Sequence, residues 1–309
     1  MTTATAARTI LLTGADGFLG KLVLKRLGSA PEVGRILTAG EGAPIRGKKV
    51  RHLKFSTASD KITEHLRKEK VDVILHLDSA LSQERDEAGF EKNVLGTMTL
   101  LGAAAEAPVR RVILQSSYAV YGAQYTNPNF IPESRKIKAT GRSPYLRDAA
   151  EIERYAQEFL RNFGDIALTI LRFAPIVGPT SDSAFVRYLE MEICPVLLGF
   201  DPLFQLLHEE DAADAVLAAL RTEVRGAVNV APEEVAPLLK ILRFLKKKQA
   251  VVPYLPFRMS ERVLGGLKSL PFDAGFLRFG CCLETERMRE ELQFDPRRST
   301  GDTLRALRD

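Results

Sequence analysis

Short apolar runs alternate with amphipathic stretches through the first 175 residues. The runs at 9–13, 35–39, 50–55, 71–77, 111–116 and 167–173 read as strands. Between them, apolar residues recur at helical spacing over 17–27, 59–70, 84–106 and 143–163. Val73-Ile74-Leu75 is apolar at successive positions, so both faces of that strand must be covered, as in a parallel sheet layered with helices. Strand and helix in alternation with short connections predict a doubly wound α/β fold. After about Pro175 the rhythm loosens and Pro, Gly and Phe become frequent. A strand near 204–208, a helix at 211–220, a strand at 227–230 and short helices at 285–291 and 303–307 predict a smaller, partly helical lobe. The expected division is 1–175 and 176–309, with some later strands returning to the main sheet.

The chain's 309 residues suffice for this arrangement, and 45% hydrophobic with 27% charged residues is ordinary for a globular protein. No apolar run approaches the roughly 18 residues that span a bilayer. Residues 1–7 lack the basic start and apolar stretch of a signal peptide, so a cytoplasmic location is expected. Three cysteines (Cys194, Cys281, Cys282) and four histidines (His52, His65, His76, His208) form no metal-ligand spacing, and no metal site is expected. The net charge of +5 draws on basic clusters at 46–54 and 240–248, read as solvated faces. Neither cluster is interleaved with aromatic residues, so no nucleic-acid partner is expected. The run 238–248 mixes bulky apolar and basic residues. It reads as a core-facing helix with a basic edge, or, with the Phe-rich 272–279, as a weak membrane-surface contact.

Chemistry is carried by Thr13-Gly14-Ala15-Asp16-Gly17-Phe18-Leu19-Gly20, placed between a strand and a helix. Gly14 permits a tight turn, Gly17 lets backbone approach a phosphate, and Gly20 lets the helix pack on the strand. Further motifs follow at Asn93-Val94-Leu95-Gly96-Thr97, Ser116-Ser117-Tyr118-Ala119-Val120-Tyr121-Gly122, Arg172 to Pro179, His208-Glu209-Glu210-Asp211 and Gly226 to Val230. With these the chain resembles, nearly end to end, the extended short-chain dehydrogenase/reductase family in its NAD-dependent epimerase/dehydratase branch. The resemblance implies a Rossmann-like parallel sheet with a C-terminal substrate lobe. It implies NAD or NADP held by Gly14, Asp16, Gly17, Phe18, Leu19, Gly20 and Asn93. Ser117 would hydrogen-bond a substrate hydroxyl or carbonyl, and Tyr145 would be the acid/base. It also implies a small-molecule or protein ligand between the lobes and a homodimer formed through the helices at 84–106 and 143–163.

The chain departs from that pattern around a single ligand. A tyrosine base needs a nearby cation to act near neutrality, and the family's lysine stands one helical turn on, where this chain has Ala149. Arg147 faces elsewhere and Asp148 is anionic; Lys138 or Arg142 would have to reach in from a loop. Gly40 falls where an acid would bind the adenosine ribose, with Glu41 one residue late and Arg46 or Lys48 as candidates for a 2′-phosphate. Ser56 stands in place of an aspartate near the adenine, and Asp78 in place of a small neutral residue. The expectation is a protein with weak or lost dinucleotide affinity and no standard catalysis, serving as sensor, scaffold or partner-binding module. The alternative is an active epimerase, dehydratase or reductase, on a nucleotide sugar or lipid-like substrate, with a modified proton relay.

Overall fold

A computed structural model describes residues 7–40, 42–78, 91–138, 144–253 and 270–308, with the side chains of residues 91, 92, 144 and 145 excepted. Seven strands form one parallel sheet in the order β11-β6-β5-β4-β1-β2-β3. They are β1 (Arg8–Thr13), β2 (Val33–Ala39), β3 (Val50–Leu53), β4 (Val73–His76), β5 (Arg111–Ser117), β6 (Ala167–Phe173) and β11 (Gly226–Val230). The apolar run Val73-Ile74-Leu75 is covered on both faces as expected: β4 is buried at every position, and so is β6, which also carries Thr169 and Arg172. From β1 the chain first builds outward through β2 and β3, then returns to β4 on β1's other side. The strand order therefore reverses beside β1, and a crevice opens at the carboxyl ends of β1 and β4.

Helix α1 (Phe18–Ser29) buries Leu19, Gly20, Val23 and Leu27 against the sheet. Helices α2 (Ile62–Lys68), α3 (Gly96–Glu106) and α4 (Pro144–Asn162) follow, and α3 is entered through one π-helical turn at Glu91–Leu95. Of the long helix expected at 84–106, residues 84–90 lie outside the described residues, as does Ser143 at the start of 143–163. Helix α6 (Glu209–Arg221) packs beside α1, and Arg26 ties the two through Glu210 and, at 2.7 Å, Asp214.

The second half departs from the sequence reading in three places. The strand expected at 204–208 is two short pieces, β9 (Leu203–Phe204) and β10 (Leu207–His208), with different partners, β12 (Ala236–Pro237) and β7 (Ile176–Val177). Between them Gln205 is buried and bonds the backbone of Pro232 and Leu283, which breaks the strand. The run 238–248 is not one helix. Helix α7 (Leu238–Phe244) buries Leu238, Ile241 and Leu242, then Lys246 adopts φ +55°, and Lys248 starts strand β13 (Lys248–Val252) on β8 (Ile193–Leu197). The Phe-rich stretch 272–279 buries Phe276 and Leu277. Helix α5 (Ala184–Glu190), unforeseen in the sequence, joins β8 and α7 around a second apolar cluster containing Phe185, Tyr188 and Phe204. No helix among the described residues is long and apolar enough to cross a membrane.

One buried polar group shows why the main sheet wants these motif residues. His76 at the end of β4 lies between Thr13 (Nδ1 to Oγ1, 2.5 Å) and Thr97 (Nε2 to Oγ1, 2.8 Å). Thr97 gives its own proton to the Asn93 carbonyl, so it accepts from His76, and Nδ1 accepts from Thr13. The imidazole is neutral, and burial pushes its pKa down to about 4. The unfolded chain binds a proton at this ring near pH 6.5 and the folded chain only near 4. Stability is thus fully present above 6.5 and is lost as pH falls toward 4, by about 3 kcal/mol in all. Urea midpoints measured between pH 7 and 4.5 should drop steeply in the wild type. A His76→Asn variant should show a slope shallower by up to about 1.4 kcal/mol per pH unit; equal slopes would rule the ring out as the source.

Candidate functional site

The crevice beside β1 is a groove of about 230 Å³ lined by Gly14, Asp16, Gly17, Phe18, Leu19, Gly20, Leu77 and Asp78. The tight turn rests on Gly14, whose φ is +68° and where a side chain would collide with the backbone of Leu77 and Asp78 at 2.6 Å. Gly17 caps α1 without any side-chain bond, so the amides of the first helical turn are available to an anion. Gly20 is packed on the turn itself: a methyl there would sit on the Gly14 carbonyl and 2.8 Å from the Ala15 Cα. Among the described residues, Asp16, Asp78 and Asp182 border it, and the one cation lining it, Arg187, pairs with Asp182 at 3.3 Å. Asp78 stands at the carboxyl end of β4, against the glycine turn.

Gln115 and Phe18 belong both to this groove and to a second, apolar space that runs between the sheet and the C-terminal half. The second space is small, about 50 Å³, and is walled by Phe173, Phe185, Phe272 and Phe276 with Tyr118 and Leu146. Ser117 opens onto it at the end of β5. Its Oγ accepts the Ala119 amide at 3.2 Å and caps the turn Tyr118–Tyr121, which leaves its proton for a ligand. Asn93 is buried in the π-helical turn, its Oδ1 without a hydrogen-bond partner among the described residues, and it does not line the groove. The Tyr145 side chain and Arg142 lie outside the described residues. One turn on from Tyr145, Ala149 is only 4% exposed and packs in the main core.

The same face of α4 carries a residue the sequence reading passed over. Glu153 is wholly buried, receives the Ser116 hydroxyl at 2.6 Å, and forms an ion pair with buried Arg172. The signal was present: a lone carboxylate in the stripe of Leu146, Ala149, Ala150 and Ala156. Gln115, facing both spaces, was missed as well.

A sequence profile of the NAD-dependent epimerase/dehydratase family matches residues 10–231. The chain belongs to this family. An uncharacterised protein of Mycobacterium tuberculosis is 30% identical over 311 residues, covering 96% of this chain and 82% of its own length. A 3-diazoavenalumate denitrifying reductase of a Streptomyces species is 25% identical over 276 residues, 83% of this chain and 87% of that enzyme. Among solved structures, a Thermotoga maritima UDP-glucose 4-epimerase with UDP-glucose aligns at TM-score 0.75 and 19% identity, over 97% of each chain. A Streptomyces venezuelae dTDP-glucose 4,6-dehydratase with NAD bound aligns at 0.75 and 20%, over 97% of this chain and 96% of that one. Those two likenesses are of fold.

The family's dinucleotide fits the turn: the bare backbone at Gly17 and the uncapped amides of α1 are what a diphosphate needs. When bound, a nicotinamide dinucleotide supplies a site that gives or takes hydride. Beside it, one helical turn on from Tyr145, this chain contributes the buried methyl of Ala149.

Proposed function

We propose that this protein is a non-catalytic member of its family that keeps the nucleotide groove as a binding site and senses or presents what it binds. The observation that carries this reading is Ala149, a buried methyl one helical turn from Tyr145. A tyrosine serves as a base near neutrality only with a cation close by, and this position of the helix supplies none. The Asp16 carboxylate beside the turn lowers the groove's affinity for a diphosphate in the same direction. The ligand reaches from the glycine turn into the aromatic cleft beside Ser117, and the chain from residue 176 supplies most of that cleft's far wall. Two copies pairing through α3 and α4 belong to the same reading.

The test is turnover. With UDP-glucose, UDP-glucuronic acid or dTDP-glucose and either nicotinamide dinucleotide, no epimerised or dehydrated product and no change in absorbance at the reduced nicotinamide band is expected. An Ala149→Lys variant should be the more active protein if any activity emerges. Turnover of the unmodified chain that disappears in Tyr145→Phe would overturn the proposal. It would establish the other reading, an enzyme with a modified relay, which the intact turn and the placement of Ser117 favour.

A further inference from the structure

Helix α1 has two polar edges, and among the described residues the fold gives carboxylates to one of them. On that edge Arg26 pairs with Glu210 and Asp214 of α6. On the other, Lys21 and Lys25 stand one helical turn apart, both exposed, and neither is in an ion pair with a described residue. Like charges at that spacing destabilise a helix. The loop that joins β2 to β3 lies across from them and adds Arg46 and Lys48, again exposed and without an ion pair among the described residues. Four cations from two separate segments thus converge, although each would be better hydrated and less repelled alone.

Between helix and loop is a hollow of about 460 Å³, within the range that holds ligands. Leu24, Ile45 and Val50 line it, each partly buried against the main core, and Asp16 is the single carboxylate among the described residues of the lining. Its loop wall is held in place. The Lys49 ammonium donates to the carbonyls of Ala30 and Val33 at 3.0 and 2.6 Å, and the Val50 amide donates to the Gly47 carbonyl at 3.2 Å. The hollow shares only Asp16 with the groove at the glycine turn, and it leaves that turn to follow α1 as far as Gly28 and Ser29. The 12 residues of α1 make a helix about 18 Å long, which an extended chain of about five or six residues spans.

We propose that this hollow docks an acidic, extended segment of a partner protein. Its carboxylates would meet Lys21, Lys25, Arg46 and Lys48, and one apolar side chain would rest on Leu24, Ile45 and Val50. Charge sets the sign of the partner, since four cations face one carboxylate. The apolar strip between the cations sets its class. No aromatic ring lines the hollow among the described residues, so a nucleobase has nothing to stack on. A flat bilayer would meet the cations but not the recessed strip between them. The docking needs neither a nucleotide in the groove nor turnover.

A fluorescein-labelled hexapeptide, Glu-Asp-Leu-Glu-Asp-Glu, titrated against the whole protein by anisotropy tests it. Micromolar binding is expected at low salt, weakened at least about fivefold when salt rises to about 0.5 M. K21E/K25E and R46E/K48E should each weaken binding at least about tenfold, with urea midpoints showing that both stay folded. Serine in place of the peptide's leucine should weaken it at least about fivefold. K240E/R243E takes the same charge from exposed positions of α7 and should change nothing. An equal loss in K240E/R243E would show attraction to net charge alone and overturn the proposal, as would a serine peptide that binds as tightly or a hexapeptide that does not bind. Displacement of the peptide by NADPH but not by NADH would give Arg46 and Lys48 to a cofactor and overturn it too. So would anionic vesicles or single-stranded DNA that bind more tightly than the peptide and lose binding in the same two variants.

Discussion

A Gly20→Ala variant is expected to lose about 3 kcal/mol of stability and, with it, any affinity for a dinucleotide. The methyl would fall on the Gly14 carbonyl and within 2.7 Å of the Gly14 carbonyl carbon, all of it backbone that no rotamer change can clear. The first turn of α1 would have to lift away from β1, and Leu19 and Val23 would leave the core with it. Gly17→Ala is the control. Its Cβ would sit 3.4 Å from the same carbonyl oxygen, and its φ of −68° suits any residue, so stability should fall by less than about 1 kcal/mol. The added methyl nevertheless stands where a diphosphate would touch the backbone, so binding should fall while folding does not. Urea denaturation and NADPH titration of the two variants separate a glycine kept for packing from one kept for a ligand. Should Gly20→Ala melt and bind like the wild type, the turn is looser than its geometry indicates.

That contrast also shows what could be read from the chain before folding. The glycine turn was legible because each glycine answers a local demand: a left-handed φ at Gly14, bare backbone at Gly17, contact at Gly20. The sheet was legible because Val73-Ile74-Leu75 in β4 is apolar at consecutive positions and alternates with helical stretches, as strands covered on both faces do. Ala149 was legible through helical spacing from Tyr145. The rest depended on contacts between distant segments. His52 meets Thr38 only through the β2–β3 register, and His76 joins Thr13 to Thr97 across β1, β4 and α3. Likewise, nothing near residue 246 in the sequence announces that Lys246 will turn left-handed and end the helix there. The aromatic cleft was partly visible as a rise in Phe content after Pro175, but which rings meet is a property of the packed second cluster: Phe185 with Phe204 at 4.7 Å, Tyr188 with Phe272 at 5.1 Å.

The motif residues after β5 and on β6 have a part in the fold as well as beside the site. They form a buried polar network under the site. Arg172 donates its Nε to the Glu153 carboxylate at 2.7 Å, and its Nη1 to the Tyr121 hydroxyl at 2.6 Å and to the Glu133 carbonyl at 3.0 Å. Tyr121 in turn donates to the Asn229 Oδ1 at 2.8 Å, and Asn229 reaches the backbone of Ile131 and Glu284. Burial pushes the Tyr121 phenol up to about 12, so it stays protonated as this chain of donors requires. The network joins β5, β6 and β11 to α4 and fixes the helix face that carries Ala149. That is a structural role for these motifs which does not depend on catalysis.

Replacing Arg172 with Met is accordingly expected to cost about 3–5 kcal/mol, since Glu153 would be left charged in a site from which water is excluded. Removing both charges together should cost less than removing the arginine alone, because the pair is sustained by mutual compensation and two similar-sized apolar side chains can fill its volume. Denaturant midpoints for Arg172→Met, Glu153→Met and the double variant give the coupling directly; additive losses would show that the two side chains act separately. If the network also holds the site in shape, the double variant, although folded, should bind NADPH less well than the wild type. Glu153 fixes α4 through Ser116, whose neighbours Gln115 and Ser117 face the groove and the cleft. A double variant with full stability recovered and undiminished affinity would confine Arg172 and Glu153 to the fold.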